Sequence, residues 1–528
     1  MHRRDFMRVM GGGMAAAAMG ANVSAAAPKR SKRPNFLIIL ADDMGFSDTG
    51  CYGSEIATPN LDSLARDGVR FTHFYSAARC CPSRASLLTG LYPHQAGMGG
   101  MVSRGEKVPE EGPYQGYLNQ SCVTIAEVLK QAGYRTYMSG KWHVGERPEH
   151  WPLKRGFDRY YGLISGASSY WGIREEERGT RAFALDGEPI LPEGENFYMT
   201  DAFSEYAVKW LEEHDGREEP FLLYLAYTAP HWPLHAWPED IAKYRGTYLK
   251  GWDQLREERY ERLVNMGIID AKWKLSPRDA DVPPWDDAED KEDWDLRMAV
   301  YAAMVDRMDK GIGRVLEALR RIGKVENTVV MFLSDNGGCH ESVEGRKLDT
   351  PGTKPGEPGS FVAYRRPWAN ASNTPFRLFK HWVHEGGIAS PFIVRWPAGM
   401  RRRNQLESQV GHINDIMATC VDLAGAQYPE TFNGHAITPC EGKSLAPILR
   451  GEHRGPHERL CWEHMGNRAI IEGDWKLVAA KNGDWALYNL AEDRTELNDL
   501  SETLPERAKT LFRAWETWAD RVGARKPA

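Results

Sequence analysis

The sequence is poor in several things at once. Eight cysteines are spread over 528 residues, too sparse for a disulfide-built scaffold, and none falls at a zinc-ligand spacing. Beyond its first residues, no run approaches the ~20 consecutive apolar residues that span a bilayer, so no stable membrane insertion is expected. Positive charge is not in excess: the formal net charge is −6, which argues against binding nucleic acid or an acidic membrane by bulk charge. What remains is ordinary for a globular chain, 42% hydrophobic and 27% charged, and excludes a disordered or collagen-like protein. At about 100–200 residues per domain the length suggests roughly three to five domains, though large α/β enzymes exceed that as one unit. Aromatics reach 11%, with 18 Trp, which suits a large core or a cleft for flat or sugar-like ligands.

Residues 1–27 read as a twin-arginine export signal. Arg3-Arg4 precedes Phe6, a weakly apolar Gly/Ala/Met/Val run follows, and small residues then allow cleavage after Ala25 or Ala26. Losing its three Arg and one Asp would move the formal charge from −6 to −8. The expectation is an exported bacterial protein, periplasmic or secreted, handed over already folded to the twin-arginine export machinery.

A strand-and-helix rhythm follows. Asn35 to Ala41, Tyr134 to Met138, Phe221 to Tyr227, Val329 to Leu333 and Phe392 to Val394 are continuous apolar runs, as central strands of a parallel sheet require. Between them lie amphipathic helices; the clearest carries Val305, Met308, Ile312, Val315, Leu319 and Ile322, with Gly323 at the C-cap position. The alternation predicts a doubly wound α/β domain: a large, mostly parallel sheet sandwiched by helices. Ligands of such sheets bind beyond the carboxyl ends of the strands. There the chain places Asp42-Asp43, Lys141-Trp142-His143, His231-Trp232 and Asp335-Asn336-Gly337. Two acidic and two basic or imidazole ends on one rim predict a metal site beside an anion site.

Residues 468–491 alternate as two short strands around Asn482-Gly483, a hairpin signal, and a helix follows at about 503–522. The expected organisation is a catalytic α/β domain over 28–450 and a small antiparallel-sheet-plus-helix subdomain over 451–528. The acidic, Pro- and Trp-rich stretch 271–295 reads as a surface insertion.

The segment Cys80-Cys81-Pro82-Ser83-Arg84-Ala85-Ser86-Leu87-Leu88-Thr89-Gly90 resembles the signature C-x-P-S-R-x-x-x-L-T-G at every specified position. By it the chain is identified as a member of the type I, formylglycine-dependent sulfatases of the alkaline-phosphatase superfamily. Ser372 to Arg377, Lys380 and His384-Glu385-Gly386-Gly387 make it similar to bacterial arylsulfatases. The resemblance covers nearly the whole mature chain. It implies that a maturation enzyme oxidises Cys80 to formylglycine, with Cys81 a bystander at the variable position.

The chemistry explains why. A sulfate monoester resists nucleophiles, so attack at sulfur needs an activated oxygen, neutralised sulfate oxygens and a proton for the leaving group. A hydrated aldehyde has two hydroxyls on one carbon: one attacks sulfur, and the other lets the sulfated intermediate collapse. Asp42, Asp43, Asp335 and Asn336 offer only oxygen, which selects calcium, or less readily magnesium, over zinc. The resemblance adds an oxygen of the modified Cys80 as a further ligand. It also implies that Arg84 holds the formylglycine hydroxyl and that Lys141 and Lys380 bind sulfate oxygens. His143 would be the base that expels sulfate, and His231 the acid that protonates the departing alcohol or phenol.

His235 reads as a pocket wall. Trp142, Trp232, His340, His381 and His384 are further pocket candidates, Trp232 chief among them, and Tyr170-Trp171 a platform for a sugar ring. Where relatives often carry an arginine after Glu385-Gly386-Gly387-Ile388, Ala389 stands here, which predicts an altered charge near the leaving group. Two other readings stay open on the same residues: a phosphonate or phosphodiester hydrolase, and an inactive sulfated-glycan-binding relative.

Overall fold

The computed structural model describes residues 33–103, 111–192, 194, 196–345, 348–401 and 403–524. The export-signal reading of residues 1–27 lies outside them. Ten strands form one sheet, in spatial order Gln405–Glu407, Val69–Phe71, Phe392–Arg395, Thr328–Ser334, Asn35–Ala41, Phe221–Ala226, Arg135–Gly140, Arg159–Leu163, Phe183–Leu185 and Glu188–Pro189. The five from Thr328–Ser334 to Arg159–Leu163 are mutually parallel.

All five apolar runs read from the sequence are strands, within two residues at either end. One runs the other way: Phe392–Arg395 is antiparallel to Thr328–Ser334. An apolar run records burial on both faces and not chain direction.

The sheet is buried from both sides by period-two alternation. Leu37, Ile39, Leu223, Leu225, Val330 and Phe332 face one core, with helices Met199–Glu213 and Lys291–Arg321 against them. Phe36, Ile38, Leu40, Leu222, Tyr224, Met331 and Leu333 face the other, under helices Cys80–Thr89, Ile125–Gln131 and Asp415–Ala424. In the 31-residue helix Lys291–Arg321, Val305, Met308, Ile312, Val315 and Leu319 are fully buried. Gly323 follows at φ 65° and donates to the Arg320 carbonyl at 3.0 Å, a left-handed terminus that suits glycine.

The smaller C-terminal sheet has four antiparallel strands, Leu460–His464, Asn467–Glu472, Trp475–Ala479 and Ala486–Asn489, where the sequence suggested two. Asn482-Gly483 lies in the longer connection, while Gly473-Asp474 makes the tight turn that was overlooked. One face of this sheet packs on helix Pro505–Val522 through Ile470 and Leu477. Leu460, Trp462, Ile471 and Val478 join the main core.

Residues 271–295 are not a simple surface insertion. Trp273, Val282 and Trp285 are buried, and Trp285 packs edge-on against Trp252 with ring centroids 4.7 Å apart. No helix among the described residues is long and apolar enough to cross a membrane.

Candidate active site

Strand register builds the site. Leu40 and Gly140 both pair with Ala226, and Ala41 pairs with Ser334. The next residues, Asp42, Lys141 and Asp335, therefore emerge side by side at one edge, and His231 follows a short loop from strand Phe221–Ala226. The strand-end residues singled out in the sequence converge, Trp142 excepted, and helix Cys80–Thr89 brings its first turn to the same place.

The floor is a knot of buried charge. Lys141 Nζ donates to Asp42 Oδ2 at 2.5 Å. Arg84 Nη2 donates to Asp335 Oδ2 at 3.2 Å and lies 3.6 Å from Asp42 Oδ2, while Nη1 donates to the Lys141 carbonyl. Asn336 Nδ2 donates to Asp43 Oδ1 at 2.7 Å, and Lys380 Nζ donates to Asp43 Oδ2 at 2.8 Å. Burial raises Asp42, but Lys141, His231 and Arg84 outweigh it and hold the carboxyl far below its usual range. Asp335 goes the other way: burial, then the crowding charges of Asp42 and Asp43, push it well up against the pull of Arg84.

These residues fit a hard cation. Asp42 Oδ1 and Asn336 Oδ1 are buried with no hydrogen-bond partner, and buried oxygens of that kind ordinarily have one. The repulsion that raises Asp335 is what a divalent ion between the carboxylates would remove. Asp43 itself sits at φ 66°, a left-handed conformation held by its neighbours at a cost of about 1–3 kcal/mol.

His231 joins the acidic floor to the open pocket. Its Nδ1 lies 2.6 Å from the Trp232 carbonyl, which can only accept, so Nδ1 carries the proton. Nε2 then presents its lone pair to Lys380 Nζ at 3.3 Å, with Asp43 Oδ2 also at 3.3 Å. Burial lowers the imidazole's pKa, although Asp43 draws it back up. Lys380 is held well above its usual value: burial opposes this, but Asp43, Cys339 and Glu341 prevail. The pair is thus a neutral imidazole beside a firmly protonated amine.

Above the floor opens a cavity of about 380 Å³, lined by Cys80, His143, His231, Trp232 and Lys380 together with Arg79, Met101, Val102, Gly166, Ala167, Arg181 and Glu341. Cys80 opens its helix, whose N-terminus favours negative charge. A hydrogen bond from Cys81 holds the Cys80 thiol well below its usual range; burial opposes this, and Lys141 and His143 assist. Burial pushes His143 down to about 4, against the pull of Cys80. His143 stands at φ 55° over Gly166, where an added Cβ would meet its ring at 2.4 Å; only glycine leaves that space.

Several second-rank candidates lie elsewhere. His235 is fully buried, with Nε2 2.8 Å from the Ser360 carbonyl, and is not a pocket wall. Tyr170 is buried too, its hydroxyl donating to the Thr228 and His231 carbonyls at 2.7 and 2.9 Å. It therefore shapes the His231 loop and offers no sugar platform, while Trp171 packs on Trp237. Trp142 donates to the His150 carbonyl within the core. His340 stacks on Phe379, His384 precedes the short helix Glu385–Ile388, and His381 meets Arg79 just outside the cavity. Ala389 is buried in a bridge to Tyr75 and does not line the cavity, so the departure there leaves the pocket's charge untouched.

Arg79, Arg181 and Glu341 were missed. Glu341 accepts from Arg79 Nη2 and Trp232 Nε1, each at 3.0 Å. Burial raises its carboxyl, but Lys380 and Arg79 bring it down to about 2. Only Glu341 carried a signal, lying six residues beyond Asp335 on the same loop.

Comparisons with known proteins give the family. Residues 34–426 match the sulfatase family model, and residues 376–512 match that of the C-terminal region of N-sulphoglucosamine sulphohydrolase. The chain belongs to the sulfatase family and is a sulfuric ester hydrolase. An uncharacterized sulfatase of Schizosaccharomyces pombe is 36% identical, over 93% of this chain and 94% of its own. The arylsulfatase of Klebsiella aerogenes is 34% identical, over 85% of this chain and 98% of its own. Among solved structures, that of Ps i-CgsB in complex with k-i-k-neocarrahexaose superposes with TM-score 0.68 at 27% identity, covering 92% of this chain and 93% of the other.

Proposed function

We propose that this chain hydrolyses aryl or carbohydrate sulfate monoesters with a formylglycine made from Cys80 and a calcium ion held by Asp42, Asp43, Asp335 and Asn336. The observation that carries the reading is the junction of two features: Cys80 opens a buried helix onto the cavity, and unpartnered oxygens of Asp42 and Asn336 lie in the acidic cluster behind two of its lining residues, His231 and Lys380. The ion would supply charge neutralisation for the sulfate oxygens and the nucleophile, with an oxygen of the modified residue 80 as a further ligand. Formylglycine, once hydrated, supplies one hydroxyl to attack sulfur and a second to release the sulfate.

The chain's own residues do the rest. Lys380 and Lys141 bring positive charge to the sulfate, while Arg84 braces Asp335 and the Lys141 backbone from below. His143, neutral at ordinary pH, can accept a proton from a hydroxyl on residue 80. His231 lines the cavity beside Lys380, so a proton delivered to Nε2 can pass to the leaving oxygen. The cavity has room for about one ring, and the aryl and N-acetylgalactosamine 6-sulfate names among the relatives support both substrate classes. Maturation then calls for a formylglycine-generating enzyme, and residues 1–27 for twin-arginine export to the periplasm or beyond.

The test is intact-mass analysis of the peptide containing Cys80, with sulfate release measured on sulfated sugars and an aryl sulfate. Aldehyde in active protein is expected. An unmodified thiol in fully active protein overturns the mechanism, and preferred turnover of phosphonate diesters overturns the substrate class.

A further inference from the structure

Position 81 is variable in the signature, yet the cysteine here is not idle. The sulfur of Cys81, the sulfur of Cys80 and a ring nitrogen of His143 lie within 4.8 Å of one another, all three residues buried. Tetrahedral zinc, with bonds of about 2.3 Å to sulfur and about 2.0 Å to nitrogen, sets its ligand atoms about 3.5–3.8 Å apart. Side-chain adjustments of about 1 Å close that difference. His143 Nδ1 is buried with no hydrogen-bond partner, so the ring has coordinating capacity that the protein leaves unused. Cys80 and His143 line the cavity and Cys81 lies behind them, which leaves a fourth position open to solvent.

We infer that, before Cys80 is converted, Cys80, Cys81 and His143 form a site for one soft or borderline ion of the zinc and cadmium class. Two thiolates cancel the ion's two charges, so the complex adds no net charge beside Lys141 and Arg84. Each sulfur loses its proton to solvent as its metal bond forms, and the neutral imidazole donates a lone pair. Thiolate and imidazole select such ions, whereas the oxygen cluster of Asp42, Asp43, Asp335 and Asn336 selects hard ones. The two donor sets share position 80. Oxidation of Cys80 to the aldehyde removes one sulfur and dismantles the soft site, so the thiol form takes the soft ion and the aldehyde form cannot. An ion on the folded, unconverted chain would also mask the thiol from maturation.

The inference requires only a thiol at position 80, and so stands apart from the sulfatase mechanism. The experiment uses the full chain made without maturation enzyme, its thiol verified by mass, stripped of metal and then titrated with zinc or cobalt under reducing conditions in excess calcium. About one equivalent of zinc should survive gel filtration, and cobalt should give a thiolate charge-transfer band. In Cys81→Ala the zinc affinity should fall about 100-fold or more and the band should weaken, and the converted wild type should bind neither ion tightly. Equal zinc affinity in wild type and Cys81→Ala, or a cobalt adduct without the band, overturns it. Sulfate release by converted Cys81→Ala should match wild type; if converted wild type itself releases none, the mechanism fails while the zinc result stands.

Discussion

At the joint between the large and small sheets, Glu385, Glu496, Lys476 and Arg494 are all fully buried, as are Asp42, Asp335, Arg84 and Lys141 at the pocket floor. The joint is built of mutual ion pairs, though Arg494 Nη2 and Glu496 Oε1 are left without a hydrogen bond. Lys476 bridges Glu385 at 2.9 Å and Glu496 at 2.8 Å. The other Glu385 oxygen accepts from Arg494 at 3.0 Å and Tyr75 at 3.2 Å, and the Arg494 guanidinium lies 4.8 Å above the Phe376 ring. The floor likewise leaves oxygens of Asp42 and Asn336 without partners, and it adds a carboxyl, Asp335, pushed up by burial and by its neighbours. Both are buried ionic clusters; the first holds parts of the chain together, and the second is the one we propose to hold a cation. Lys141 and Lys380 lean on Asp42 and Asp43, the same carboxylates a divalent ion would take.

Substitutions at the two clusters should therefore fail differently. The largest effect is expected at the cavity: Cys80→Ala should lower kcat/KM for sulfate release by about 10⁴-fold or more, with urea stability close to wild type. Lys476→Met at the joint should cost about 3–5 kcal/mol by leaving two carboxylates buried with less compensation, read as a lower urea midpoint. Its folded fraction should keep kcat within about twofold. Loss of activity without loss of stability in Lys476→Met would erase the distinction.

His231→Ala should lower kcat by about 10²-fold on alkyl and sugar sulfates and much less on an activated aryl sulfate, whose phenolate leaves without help. Equal losses on both would remove His231 from the leaving-group side. Acid should act on the scaffold. Burial holds His235 and His412 near 4 and His464 near 3, below the unfolded value of about 6.5. His143, His340 and His381 are held near 4 as well, so the unfolded chain binds more protons between those values, and stability falls as pH drops from about 6.5 to 4 with several protons taken up on unfolding. Thermal melts across that range check the slope. The smallest effect is expected at Glu341→Gln, a change of about fivefold in selectivity between neutral and carboxylated sugar sulfates, because a wall carboxylate repels a second anion.

The rim was legible in the sequence because its donors directly follow apolar runs. Asp42, Lys141 and Asp335 needed only the strand ends to be placed, and the eleven residues from Cys80 supplied the position of the proposed nucleophile. The walls were not legible. Arg79 and Arg181 come from segments with no apolar periodicity, and their place depends on loops folding across the sheet edge. Tyr170 and His235 misled for a related reason: polar atoms on aromatic rings suit a pocket, but here they hydrogen-bond to buried backbone carbonyls of the His231 loop and of Ser360. The joint escaped notice too, since Lys476 and Arg494 look like surface residues until Glu385 is placed beside them.

The pairing of Ala41 with Ser334, and of Ala226 with Leu40 and Gly140, also bears on when this enzyme can act. A slip of one residue in any of these strands would turn its donor to the opposite face. Asp42 and Asp335 come from distant parts of the chain, so no fragment that lacks either carries the whole site. During synthesis the chemistry stays silent until the last parallel strand and the Lys380 loop are made and docked. Sulfate release is in that sense a reporter of completed folding, switched on at the end of assembly and off at the first slip of the sheet.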